Sequence, residues 1–250
     1  MIRIGITGTD TGVGKTLVGC GVARVLARRG LRVTAMKPIE TGVAAADPLR
    51  DGARLARAAN ETRPLSLLAP LTLADPLAPL VAARRAGVTL DLDALDEVIR
   101  SAEVDTDVLI VEGAGGLLVP ITERVSFDAL FARLSLELVI IAANRLGVIN
   151  HVRLTCAAAR NAGLPIRAVA LNSLMPRDAD LSVDDNAAII AELEQVRVVE
   201  LPWTREADDL DVIADLCERS GLAHVIVNPR HPERSERIAL PRGSCERTSS

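Results

Sequence analysis

The 250-residue chain is predicted to fold as an α/β domain around a doubly wound, mostly parallel sheet. Three observations lead there. The strand-like runs are apolar throughout instead of alternating, as in strands that helices cover on both faces. They alternate with stretches whose apolar residues recur at helical spacing, which gives strand–helix–strand units. With 49% apolar and 25% charged residues, the chain can bury roughly 70–75% of its unfolded surface in one core without cross-links.

Taken in order, residues 2–7 form the first apolar run and end in a Gly/Thr-rich loop. Residues 16–29 place Val18, Val22, Val25 and Leu26 at helical spacing, with Gly30 as C-cap. Residues 32–36 read as a second strand, stopped by Pro38. Residues 91–100 set Leu92, Leu95, Val98 and Ile99 on one helical face. The β-branched run 108–111 enters a Glu-Gly-Ala-Gly-Gly turn. Residues 138–143 are another strand, followed by a helix over 149–161 that closes at Gly163. Runs 167–171, 196–201 and 223–227 complete the strands, with helices near 184–194 and 208–218 between them. Residues 38–90 hold Pro38, Pro48, Pro64, Pro70, Pro76 and Pro79 and read as irregular loop, a kind of segment that often carries function. Beyond that domain, expected over residues 1–227, the periodicity gives way to proline, arginine and serine, and residues 228–250 read as a disordered tail.

Composition excludes several roles. Net charge is −4, and Phe127, Phe131 and Trp203 are the only aromatic residues, so there is neither a positive field nor a stacking platform for nucleic acid. No apolar run reaches the ~20 residues of a membrane span. The opening MIRIGITGTD lacks a basic region followed by an apolar stretch, so no secretory leader is expected. Cys20, Cys156, Cys217 and Cys245 are scattered with no zinc-type spacing and read as reduced thiols of a cytoplasmic protein.

The most informative stretch is GTDTGVGKT, residues 8–16, between the first strand and the first helix. A glycine-rich loop there presents backbone N–H groups to a polyphosphate, and the helix N-terminus adds partial positive charge. Lys15 is placed to reach the outer phosphates and the Thr16 hydroxyl to coordinate Mg²⁺. The usual pattern has four residues between its first glycine and Gly-Lys-[Ser/Thr]; here five separate Gly8 from Gly14. A turn that binds nothing is the bland alternative, and G-K-T at the start of a helix argues against it.

Glu112 ends an apolar strand before Gly113, Ala114, Gly115 and Gly116. Ligands of open parallel sheets bind outside the carboxyl ends of strands, so Glu112 is expected near the phosphate loop as an oxygen ligand for Mg²⁺. Asp51, in the irregular region, is a candidate second ligand, with Asp47 as the alternative. Lys15 and Lys37 are the only lysines in an arginine-rich chain. A lysine kept at the end of the second strand, in KPIETG, suggests a task for a compact point charge on a flexible stem. A snorkelling surface lysine is the alternative.

Together GTDTGVGKT, KPIETG, VEGAGG and the later GVINHVRLT resemble the dethiobiotin synthetase family over roughly residues 1–203. The family's own loop carries the extra residue. The resemblance implies a seven-stranded P-loop NTPase-like fold, a homodimer, and ring-closing carboxylation of 7,8-diaminopelargonic acid with CO₂ and MgATP. It also implies site residues. Gly12, Val13, Gly14, Lys15, Thr16 and Leu17 would hold the phosphates, with Gly113, Ala114 and Gly115 beside them. Thr16, Asp51 and Glu112 would hold Mg²⁺, and Lys37 with Lys15 would be catalytic. Asn172, Ser173, Pro202, Trp203 and Thr204 would surround the adenine. Thr11 and Thr41 would contact substrate, whose carboxylate would meet Gly147, Val148, Ile149 and Asn150 from the partner subunit. Two departures stand out: Asp51 is followed by Gly52 where the family has Asp-Ala, and Gly12 has no side chain where some relatives have Glu.

Two rivals share this loop. Nucleotide-switch ATPases of the partition and septum-placement type carry a lysine where Asp10 stands, and no basic arm or amphipathic membrane tail is present here. Amide-forming enzymes of cobalamin synthesis carry a further glutaminase domain with a catalytic cysteine.

Overall fold

The computed structural model describes residues 1–176 and 180–228. At its centre β1 (Ile2–Gly8) pairs in parallel with β5 (Val108–Gly116) on one side and β6 (Glu137–Ala143) on the other. β2 (Val33–Met36) flanks β5, and β7 (Ile166–Asn172) and β8 (Val198–Leu201) extend the opposite side. The order is β2-β5-β1-β6-β7-β8, parallel throughout.

Alternation along each strand feeds two cores. Val108 and Ile110 join Ile4 and Ile6 under α1 (Lys15–Arg28), α2 (Asp51–Ala58), α9 (Leu210–Arg219) and α10 (Leu222–Val227). Leu109 and Val111 face the other way, under α5 (Leu92–Ser101), α6 (Phe127–Arg133), α7 (Val148–Asn161) and α8 (Asn186–Glu194). Burial on both faces is why these strands are apolar throughout.

The main sheet has six strands among the described residues, one fewer than expected. The missing strand, residues 223–227, is α10. Gly221, at φ 78°, starts a second helix just after α9 ends, and Leu222, Ala223, Val225 and Ile226 bury against the first core. A short apolar run fits either period, and packing decided it.

Residues 38–90 are also more ordered than their prolines suggest. Besides α2 they form β3 (Ile39–Thr41) and β4 (Leu71–Leu73), paired in a small parallel sheet, with α3 (Leu65–Leu68) and α4 (Pro79–Ala86). Three-residue strands are too short to leave a period in the sequence, and Pro79 starts its helix where its missing N–H costs nothing. The expected Glu-Gly-Ala-Gly-Gly turn continues β5 as strand to Gly116. The tail expected over 228–250 lies, apart from Asn228, outside the described residues.

The chain leaves β1 for β2 on one side of the sheet and later crosses from β5 over β1 to β6. β1 therefore stands at a switch point, and a crevice opens outside the carboxyl ends of β1 and β5. The loop before α1, Glu40 and Thr41 of β3 and the segment holding Asp51 all converge there.

Candidate active site

The phosphate loop is shaped by Gly14, which caps α1 in a left-handed conformation at φ 93°. No larger residue fits: a Cβ there would stand 2.2 Å from Asn172 Nδ2. That amide donates to the Val13 carbonyl at 3.0 Å, tying the end of β7 to the loop. Lys15 folds back and donates from Nζ to the Asp10 carbonyl at 3.0 Å. Burial and the neighbouring Lys37 push its ammonium below the ordinary value, against the pull of Glu112.

Lys37 leaves the end of β2 and enters a compact ion cluster. Its Nζ donates to Asp51 Oδ2 at 2.5 Å and to Glu112 Oε1 at 2.9 Å. Thr16 Oγ1 donates to the same Glu112 oxygen at 2.7 Å. Burial alone would lower the Lys37 pKa, yet the Glu112 and Asp51 charges outweigh it and hold it above its usual value. Burial likewise opposes the charge on Asp51, and Lys37 wins, keeping the carboxyl below its usual range. Asp51, not Asp47, stands at the loop; Asp47 instead accepts from the Leu49 N–H.

Glu112 is wholly buried, and its Oε2 has no hydrogen-bond partner among the described residues. Its other oxygen, Oε1, stands with the Thr16 hydroxyl and, across Lys37, with the Asp51 carboxylate, a set of hard donors of the kind Mg²⁺ takes. The residues present therefore fit the ion. Lys37 bridges both carboxylates and neutralises them.

A cavity of about 680 Å³ covers this cluster. Its walls include Thr11, Gly12, Gly14, Lys15, Thr16, Leu17, Lys37, Thr41, Asp51, Glu112, Ala114 and Gly115 from the sequence-derived set. Glu40, Val43, Arg54, Pro76, Leu77, Pro79 and Val119 also line it and were missed. Glu40 stands inside the KPIETG stretch but was passed over for Lys37 and Thr41; the others come from short elements and loops, where no period or motif flags a wall. A smaller pocket of about 110 Å³ joins Asn172, Ser173, Pro202, Trp203 and Thr204 with Leu201, Ala207, Ile213 and Leu216. Leu17 lines both spaces, so a base-sized slot adjoins the phosphate loop.

Three parts of the expected set line neither space. Val13 is buried and contributes its carbonyl to Asn172. Gly113 turns toward Phe127 and Phe131, and a Cβ there would come within 3.1 Å of Phe131. Gly147, Val148, Ile149 and Asn150 lie at the start of α7, with Gly147 and Asn150 exposed beside Leu146, itself 80% exposed. Cys20, Cys156 and Cys217 are buried free thiols, and burial pushes Cys20 and Cys217 up to about 12.

Comparison with known proteins adds three findings. The profile of a family described as an AAA domain matches residues 3–209. The ATP-dependent dethiobiotin synthetase BioD of Anaeromyxobacter dehalogenans (strain 2CP-C) is 43% identical over 199 residues, covering 79% of this chain and 88% of that protein. The protein of that name from Nitrosospira multiformis is 36% identical over 224 residues, covering 87% and 96%. Among solved structures, the ParA family ATPase from Chlorobium tepidum superposes with a TM-score of 0.51 at 14% identity, covering 91% of this chain and 98% of that one. The Pyrococcus furiosus cell division ATPase MinD does so with 0.51 at 18%, covering 88% and 99%. These last two share the fold alone.

Proposed function

The chain belongs to the ATP-dependent dethiobiotin synthetase family, and on that premise we propose that it closes the cyclic urea of dethiobiotin from 7,8-diaminopelargonic acid, CO₂ and ATP. The observation that carries this reading is the buried Lys37 ammonium at the phosphate loop, held by Asp51 and Glu112 within one cavity.

One substrate amine adds to CO₂, forming a C–N bond and giving up a proton, to leave a carbamate. The carbamate is anionic and a poor electrophile. Its oxygen attacks the γ-phosphorus, the bond to the β-phosphate oxygen breaks, and ADP leaves. The second amine then attacks the resulting mixed anhydride, expels phosphate, loses a proton and closes the ring.

Such transfer asks for positioning and charge neutralisation more than for covalent catalysis. Lys15 and the loop around Gly12 and Gly14 hold the outer phosphates. Lys37 neutralises the carbamate and the transferring phosphoryl group. Thr16, Asp51 and Glu112 would hold Mg²⁺, which when bound neutralises the charge building between the β- and γ-phosphates. Asn172, Ser173, Pro202, Trp203 and Thr204 receive the adenine, and Thr11 and Thr41 face the diamine. Ala114 and Gly115 close the cavity wall next to the phosphates.

Residues 1–227 are read as one catalytic domain that works as a homodimer in the cytoplasm. Gly147 and Asn150 are exposed, Ile149 is half-buried and Val148 is buried in the core; all four lie outside their own chain's cavities. We read this start of α7 as receiving the substrate carboxylate of the partner, through its backbone where Val148 is concerned. The start of a 14-residue helix suits an anionic tail. No helix among the described residues is long and apolar enough to cross a membrane.

The test is direct. The purified protein is supplied with diaminopelargonate, bicarbonate and MgATP, and products are followed by mass spectrometry. A ring-closed product that requires the diamine is expected; ATP hydrolysis indifferent to the diamine overturns the reading. Sedimentation distinguishes dimer from monomer.

A further inference from the structure

We propose that Glu40 and Arg50 form a positioning clamp that sets Asp51 against Lys37; the inference rests on the dethiobiotin-forming activity proposed for this site. Glu40 lies on β3, three residues after Lys37, and Arg50 immediately precedes Asp51. Their side chains are 2% and 5% exposed, and Arg50 Nη1 donates to Glu40 Oε2 at 2.6 Å. The other carboxylate oxygen, Oε1, accepts the Gly52 N–H at 2.8 Å.

Asp51 is thus bracketed. The residue before it and the residue after it are both bonded to one buried carboxylate, carried on the segment that continues from Lys37. Helix α2 has no cap of its own, since Arg50 in the N-cap position makes no side-chain bond to it. The Glu40 carboxylate supplies one from across the fold, and its charge suits the helix N-terminus.

The same contact accounts for Gly52. A Cβ at that position would stand 2.5 Å from Ala69 Cβ and 3.1 Å from Glu40 Oε2. Glycine lets the backbone N–H come down onto the carboxylate. A buried ion pair is seldom the most stabilising filling for such a space, because both charges lose their water. Beside the reacting cavity it fixes direction: a planar guanidinium and a carboxylate meet in few geometries, where two apolar side chains would slide.

Two variants test the clamp: Glu40→Gln, which keeps an acceptor for Gly52, and Glu40→Gln combined with Arg50→Met, which leaves no buried unpaired charge. Urea unfolding measures stability, and turnover is compared below both unfolding transitions. Fluorescence of Trp203, the single tryptophan, measures ATP affinity. In both variants kcat is expected to fall about 10–100-fold, as a misplaced reacting group costs, with ATP affinity within about threefold. The Mg²⁺ concentration for half-maximal rate is expected to rise. Wild-type kcat and Mg²⁺ dependence in the double variant would overturn the clamp, whatever its stability. Failure of the wild-type protein to make the ring product would instead overturn the function on which the clamp rests.

Discussion

Asn172 donates its side-chain amide to the Val13 carbonyl across 3.0 Å, so the pocket that Asn172 lines is tied directly to the glycine-rich loop before α1. The amide fills the space above Gly14 that any side chain there would occupy. The spacing between that pocket and the loop is therefore set by a bond between two elements far apart in sequence.

Breaking that bond should loosen nucleotide binding. In Asn172→Leu the buried Val13 carbonyl loses its partner, which costs about 1–3 kcal/mol. ATP affinity, read by Trp203 fluorescence, is expected to drop roughly tenfold, corresponding to about 1.4 kcal/mol. Unchanged affinity would show that the loop holds its shape without β7.

Lys37→Gln should collapse turnover while leaving nucleotide binding near normal. Removing one donor aimed at developing charge typically costs about 10²–10³-fold in kcat. The phosphate loop itself, built around Lys15 and Gly14, is untouched. Steady-state assays of ring product, paired with a fluorescence titration of ATP, check both halves; turnover within a few-fold of wild type refutes the role.

The cluster also predicts a pH dependence of stability in the free protein. Asp51 has a depressed folded pKa, so its contribution is present above its unfolded value of about 3.9 and is lost as pH falls through the lower folded value. Lys37 has a raised folded pKa, so its contribution is present below about 10.4 and is lost as pH rises through the higher folded value. Urea unfolding should show a plateau between these limits. Since the Asp51 side chain is 35% exposed, water screens its share. Asp51→Asn should flatten part of the acid fall; an acid limb parallel to wild type would count against the pairing.

Two truncations distinguish helix α10 from the C-terminal residues beyond it. Leu222, Val225 and Ile226 are 0%, 5% and 1% exposed, and each such side chain is worth about 1.5–3 kcal/mol when buried. Their sum rivals the usual stability of about 5–15 kcal/mol. Ending the chain at Ser220 should therefore leave it largely unfolded by circular dichroism. Ending it at Asn228 should preserve both fold and activity, and lost activity there would give residues 229–250 a task.

Much of this protein was legible as text because the chemistry of phosphate binding is local. Gly14, Lys15 and Thr16 are consecutive, and their spacing from β1 follows from the loop they must form. Glu112 was legible for a related reason: a carboxylate that follows an apolar run is carried toward the carboxyl edge of a parallel sheet, although β5 itself runs on to Gly116. The rarity of lysine singled out Lys37, which proves to be buried and doubly paired.

What the sequence could not decide depended on neighbours. Residues 222–227 suit strand or helix equally, and burial beside α9 and α1 made them a helix. Asp47 and Asp51 look alike as text, but only a fold that brings α2 beside Lys37 selects between them. Glu40 gave no sign of its bonds to Arg50 and Gly52, since those depend on how β3 meets the start of α2. Motifs within a few residues are fixed by covalent geometry and show in the order of letters. Pairings across the fold are fixed by packing and desolvation, which exist only once the chain has closed on itself.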